Sequence, residues 1–176
     1  HPSIIGWNAG RIHYFGGLDA RRRSAQSEHP GSGIPLDLFS FEVPVSWKYL
    51  YISSDGVIVD RFLAPDRQSF IEHVTIYDAE NLSPKELEKK LAEVFNKIWD
   101  EPQNNLKVIE REAFEDGSNY LLWKAAKSDW QIETYYQVTD GKILALNGLI
   151  RKGYESFYQS TIDYAFDWYQ IPAAEE

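Results

Sequence analysis

Three Asp-Gly dipeptides, Asp55-Gly56, Asp116-Gly117 and Asp140-Gly141, constrain this chain more than any other feature of its sequence. Asp-Gly readily supplies the positive φ angles of a tight hairpin turn, so each dipeptide predicts a place where the chain doubles back. The runs they join read as strands: 48–53 with 57–64, 106–114 with 119–126, and 130–138 with 142–150. A further strand is expected at 70–77, with Phe70, Glu72, Val74 and Ile76 on one face and Ile71, His73, Thr75 and Tyr77 on the other. Such a succession of hairpins is an antiparallel meander. Upstream, Phe39, Phe41 and Val43 alternate with Ser40 and Glu42 before Pro44 removes a ladder donor, which predicts a first core strand followed by a turn and the large apolar anchor Trp47.

Two helices are expected. Ser83-Pro84-Lys85-Glu86 combines an N-cap serine, proline at the first helical position and a capping-box glutamate. From there Leu87, Leu91, Val94, Phe95, Ile98 and Trp99 gather on one side, while Glu86–Lys90 and Glu93–Lys97 form i,i+4 pairs on the other. This helix spans about 84–99 and stops before Pro102 and Asn104-Asn105. The second, at about 153–169, is aromatic: Tyr154, Phe157, Tyr158, Ile162, Tyr164, Ala165, Trp168 and Tyr169 against a polar side of Glu155, Gln159, Asp163 and Asp167. The nearly continuous apolar runs at 120–126 and 143–150 predict a sheet covered on both faces, which two helices would supply.

A length of 176 residues suits one core. Residues 36–172 are expected to form that single domain, preceded by an arm or linker at 1–35 and followed by a short tail at 173–176. The arm carries Arg11 and the triplet Arg21-Arg22-Arg23, and is punctuated by Gly16-Gly17, Pro30 and Gly31-Ser32-Gly33, so it reads as a solvated tether. Ile12, Tyr14 and Phe15 are the residues able to pin part of it to the sheet. A net charge of −9 argues against a nucleic-acid partner. The absence of Cys excludes disulfides, thiolate metal sites and a thiol nucleophile. No run is long and apolar enough for a membrane helix. The missing initiator Met is read as trimming, which favours export with a signal peptide or lipid-attachment Cys removed.

No catalytic motif is present: there is no Gly-x-Ser-x-Gly, His-Glu-x-x-His or phosphate loop, and no cofactor is implied. His73 and Glu72 point to opposite faces of one strand and cannot work as a pair, so His73 is read as structural, and the remaining histidines, His1, His13 and His29, lie in the arm. Glu110, Glu112, Glu115 and Asp116 lack calcium-loop spacing and read as a charged guard on a sheet edge, so no metal residue is assigned. Asn81-Leu82-Ser83 fits a glycosylation sequon only formally, because Ser83 is needed as a helix cap. The rings are the functional lead. Tyr135 lies on the strand face opposite Trp130, Ile132 and Tyr136, and the last helix has more rings than one inner face requires; Tyr135, Tyr154, Tyr158, Phe166 and Tyr169 are therefore the expected partner-binding residues.

The stretch Phe41-Glu-Val-Pro-Val-Ser-Trp47, followed by strands, one amphipathic helix, a four-strand meander and an aromatic C-terminal helix, resembles the PsbP-like and DcrB-like superfamily of the photosystem II extrinsic subunit and related periplasmic lipoproteins. The resemblance covers about residues 36–170. It implies an α+β fold, an α/β/α sandwich around a mainly antiparallel sheet of about six to eight strands. It also implies a non-enzymatic, exported, lipoprotein-type module of the periplasm or cell envelope that binds or assembles with a protein partner. The alternative is an envelope protein binding a small ligand or a divalent cation, with hydrolytic activity included in that reading.

Overall fold

In the computed structural model, which describes residues 10–16, 38–100 and 105–172, two of the three Asp-Gly turns fold as expected. Asp55 and Gly56 adopt φ of 41° and 78°, and Asp140 and Gly141 50° and 71°, the paired left-handed conformation of a tight hairpin. The turn at Asp116-Gly117 differs. Only Gly117 is left-handed (φ 90°), and its N–H donates to the Phe114 carbonyl at 3.1 Å while the Phe114 N–H donates to Ser118 at 2.9 Å, a longer loop closed by glycine.

In chain order the elements are β1 (Arg11–Gly16), β2 (Phe39–Pro44), β3 (Lys48–Ser54), β4 (Val57–Leu63), β5 (Phe70–Ile76), α1 (Pro84–Ile98), β6 (Lys107–Ala113), β7 (Asn119–Lys124), β8 (Gln131–Thr139), β9 (Lys142–Ile150) and α2 (Glu155–Asp167). Seven strands form one antiparallel sheet in the order β3-β4-β5-β9-β8-β7-β6. Its centre, β5 and β9, is buried on both faces, as the continuous apolar runs require. The capping box at Ser83 and Glu86 forms, and α1 lays Leu87, Leu91, Val94 and Phe95 on one face of the sheet. The fold is an α+β sandwich, as expected.

The other face is covered differently from the expectation. β2 is not part of the large sheet; it pairs with β1 in a two-stranded ribbon that lies beside α2. Its register brings Tyr14 opposite Phe41 and Ile12 opposite Val43, and these four side chains point into the core. Strand β1 thus places six residues of the segment read as an arm into the packed structure, carried by the alternation Ile12-His13-Tyr14. The arm's Arg21-Arg22-Arg23 and Gly31-Ser32-Gly33, His1 and His29, the helix stop at Pro102 and Asn104, and the tail at 173–176 lie outside the described residues.

Helix α2 comes close to the sheet because Gly148 of β9 has no side chain: a Cβ there would stand 2.5 Å from Ile162 Cγ2. Ile162 and Ala165 are the buried residues of this helix. Gly148→Ala is therefore expected to cost about 1–3 kcal/mol by overpacking, read as a lower urea midpoint. Double coverage fails at β7, where Leu121 and Trp123 are buried towards α1 but Tyr120 and Leu122 remain partly accessible. Tyr120 and Leu122 line an open hollow with Ile109 and Gln159, and a separate cleft opens between the β6–β7 turn, β8 and the end of α2.

Candidate functional site

Glu72 and His73 of β5 face opposite sides of the sheet, as the alternation requires, and both are fully buried. The Glu72 carboxylate accepts from Arg61 Nε at 2.8 Å, Trp99 Nε1 at 2.7 Å and Asn147 Nδ2 at 3.0 Å. Asn147 in turn accepts from the Thr134 hydroxyl at 2.5 Å, and Trp123 Nε1 donates to that hydroxyl at 3.0 Å. This network runs across the sheet beneath α1, and Arg61 Nη2 also reaches the Ile98 carbonyl at 3.3 Å. Its donors converge on one carboxylate and fasten the end of α1, which is a structural task.

On the opposite face the His73 ring stacks on Phe39, with centroids 3.3 Å apart and planes inclined by 6°, and its Nε2 shares a hydrogen bond of 2.7 Å with the Tyr169 hydroxyl. Burial holds the imidazole well below its usual pKa and lifts the Tyr169 phenol well above its own, so both are neutral at pH 7. The unfolded chain then takes up a proton more readily than the fold. The stability contributed by neutral His73 is complete above the unfolded pKa of about 6.5, and is lost as pH falls below it towards the folded value. Urea midpoints are expected to fall between about pH 7 and 5, with a slope of up to about 1.4 kcal/mol per pH unit, and the slope to flatten in His73→Gln. A second buried acid, Asp60, accepts from Tyr14 at 2.6 Å and Tyr49 at 2.5 Å, tying β1 to the sheet. Asp60 was missed in the sequence, although it is a lone acid within the apolar run at 57–62.

The five rings expected to form one surface separate into two groups at opposite ends of α2. Near its start, Tyr154 and Tyr158 stack with centroids 6.0 Å apart, Trp47 meets Tyr158 edge-on, and the Tyr158 hydroxyl accepts from the Asp66 N–H at 3.3 Å. Near its end, Tyr135, Phe166 and Tyr169 line a cleft of about 850 Å³ that opens beside Phe114, Asp116 and Ser118 of the turn between β6 and β7. All five are partly buried. The exposed rings of this region are Phe157 (67%) and Trp168 (44%); both were expected on the apolar side, but the helix buries only its Ile162 and Ala165 positions.

Tyr135 organises the cleft. Its ring lies 4.6 Å from Phe166, 5.0 Å from Tyr120 and 6.0 Å from Phe114, on which it stacks. Burial raises its phenol pKa, and Glu133, Glu112, Asp167 and Asp163 raise it further, so the hydroxyl stays protonated within a field of carboxylates. Asp116 and Asp167 stand on the rim. Glu133 is held by neutral donors, the Tyr120 hydroxyl at 2.8 Å and the amides of Gln131 and Gln159 at 3.0 and 3.2 Å. Asp163 accepts from Gln159 at 2.8 Å. Among the described residues none of these acids forms an ion pair. The acidic rim was not read from the sequence, yet a signal was there: Asp163 and Asp167 end a helix whose last turn has no basic residue, against the preference of the helix dipole.

Of the acids read as an edge guard, Glu110 and Glu112 do lie on β6, the outermost strand on that side. Among the described residues no three His, Asp or Glu side chains gather in a metal-binding group, and no helix is long and apolar enough to cross a membrane.

No protein-family model matches this sequence, and no curated protein matches it. Among solved structures, the fold is similar to the solution structure of cyanobacterial PsbP (CyanoP) from Synechocystis sp. PCC 6803, with a TM-score of 0.60 over 97% of this chain and 98% of that chain. Sequence identity is 16%, so the likeness establishes a PsbP-like fold.

Proposed function

We propose that this protein is a non-enzymatic binding or assembly module that recognises a protein partner through the cleft between the end of α2, strand β8 and the turn joining β6 to β7. The observation that carries this reading is the set of partly exposed rings, Tyr135, Phe166 and Tyr169, lining a cleft of about 850 Å³ on a rigid sheet. Tyrosine and phenylalanine in such a position supply large contact area at low entropic cost, which is how interface anchors work. The buried polar groups elsewhere support the same reading, because Glu72 and His73 are engaged in holding the fold. Tyr154 and Tyr158 belong to a second aromatic group at the other end of the helix, where Tyr158 packs against Trp47 and Tyr154 stacks on Tyr158.

The test is affinity capture by the immobilised chain from the source organism's envelope extract, repeated with variants that fold normally. Phe166→Ser is expected to weaken capture about 30-fold, the loss of one anchor residue, while Tyr51→Ser on the opposite sheet edge leaves it unchanged. Equal capture by wild type and Phe166→Ser would remove the cleft as the recognition site. The resemblance to periplasmic lipoproteins supports action in the cell envelope; fractionation of cells expressing the native gene checks this, and recovery in the cytosol alone would overturn it. Small-molecule sites commonly occupy about 300–1,000 Å³, so the cleft volume favours a small-ligand carrier as the second reading.

A further inference from the structure

We infer that the cleft beside Tyr135 accepts a cationic side chain, the guanidinium or ammonium group of a basic peptide segment on the protein partner. The inference rests on the proposed recognition role of this cleft and specifies the chemistry of what enters it.

Charge and ring geometry carry the argument. Tyr135, Phe166 and Phe114 line the opening, and aromatic rings attract organic cations, arginine above all. Asp116 and Asp167 stand among the lining residues, with Glu112, Glu133 and Asp163 close enough to act on the Tyr135 phenol. No lysine, arginine or histidine is among the described lining residues, and none of the five acids is neutralised by an ion pair to a described residue. Elsewhere the fold does pair its acids with bases: Glu72 with Arg61, Glu88 with Arg111, and Asp129 with Lys152. Among the described residues, the cleft thus gathers negative charge without a basic partner.

The position of the acids on α2 strengthens the point. Asp163 and Asp167 occupy the helix end where the dipole disfavours carboxylates, and neither forms an ion pair with a described residue; Arg11 lies over the Tyr164 ring at 3.6 Å instead. A feature that works against local stability without a packing reason is the mark of a binding surface. A metal ion fits less well, because hard cations need several oxygens converging on one point, whereas these acids are spread around a ring cluster. A side chain with a delocalised charge satisfies rings and carboxylates together. The amides of Gln137 and Gln170 and the hydroxyl of Ser118, also in the lining, are suited to hydrogen bonds with the backbone that carries it.

The experiment uses the full chain and three probes: a short capped peptide with two arginines spaced by glycine, the same peptide with glutamates, and putrescine. Binding is followed by NMR shifts of the Tyr135 and Phe166 ring protons. The arginine peptide is expected to move these signals saturably and to weaken more than tenfold in Asp116→Asn/Asp167→Asn, and to weaken as salt is raised. In the double variant the amide at position 116 can still accept from the Ser118 N–H, and the small loss of a charged acceptor there is offset by relief of the acid at the helix end, so the unfolding midpoint is expected to stay close to that of wild type. Equal binding of the glutamate peptide, shifts that avoid both rings, or unchanged affinity in the double variant would overturn the inference. Tighter binding of putrescine than of the arginine peptide would overturn the peptide assignment. Partner capture separates this from the reading it rests on: capture lost in Phe166→Ser but retained in Asp116→Asn/Asp167→Asn removes only the cationic side chain, whereas capture retained in both removes the recognition site as well.

Discussion

Arg61→Ala is expected to lower the unfolding free energy by about 3–5 kcal/mol, the cost of leaving a buried acid without its base. Arg61 donates to Glu72 through Nε and Nη2, both at 2.8 Å, and the Glu72 side chain has no exposure at all. Once Arg61 is truncated, the carboxylate retains Trp99 Nε1 and Asn147 Nδ2 as neutral donors, but no cation faces it. The guanidinium also covers the Phe70 ring, 4.3 Å from its centroid, so packing is lost with the charge. Removing both partners is not expected to restore stability, because Trp99 and Asn147 would then lose their acceptor in the core. Chemical denaturation of Arg61→Ala, Glu72→Leu and the double variant checks this. A loss below about 1 kcal/mol for Arg61→Ala would show that water reaches Glu72 and that the network is not closed.

Phe39→Ala is expected to cost about 3–5 kcal/mol, and its effect bears on the ribbon. Phe39 is fully buried, lies flat on His73, and packs at 6.2 Å from Tyr14 and 6.0 Å from Phe41. Truncation opens a cavity between the ribbon and the sheet beside the imidazole. Water entering there would relieve the burial that keeps the His73 pKa low, so the acid slope predicted for wild type is expected to shrink in the variant. A loss confined to about 1 kcal/mol, with the pH slope intact, would mean that β1 and β2 rest on the sheet only loosely.

The elements themselves were legible because each had a local cause. The Asp-Gly turns, the Ser83 capping box and the β5 alternation act over a few residues, and all three are present in the structure. What the sequence did not show depends on which surfaces meet. β2 has the alternation of a core strand, but alternation cannot say which neighbour it pairs with, and its partner β1 lies more than twenty residues upstream. Likewise the apolar run at 120–126 predicts cover on both faces, yet the extent of the cover is set by the width of the ribbon and α2. The aromatic lead reached three residues of the cleft, Tyr135, Phe166 and Tyr169, because rings in excess of a helix's inner face are visible in the sequence. Phe114, Asp116 and Asp167 join them from a turn and a helix end that are distant along the chain, so their convergence is a product of topology.

The central claim is that the cleft at the end of α2 is where the partner docks. Photo-crosslinking tests it most directly: a benzoylphenylalanine at position 166, compared with one at position 51 on the far edge of the sheet, is activated in envelope extract and adducts are separated by mass. The prediction is a discrete protein adduct from position 166, competed by excess unlabelled chain, and none from position 51. A competed adduct from position 51 without one from position 166 would contradict it.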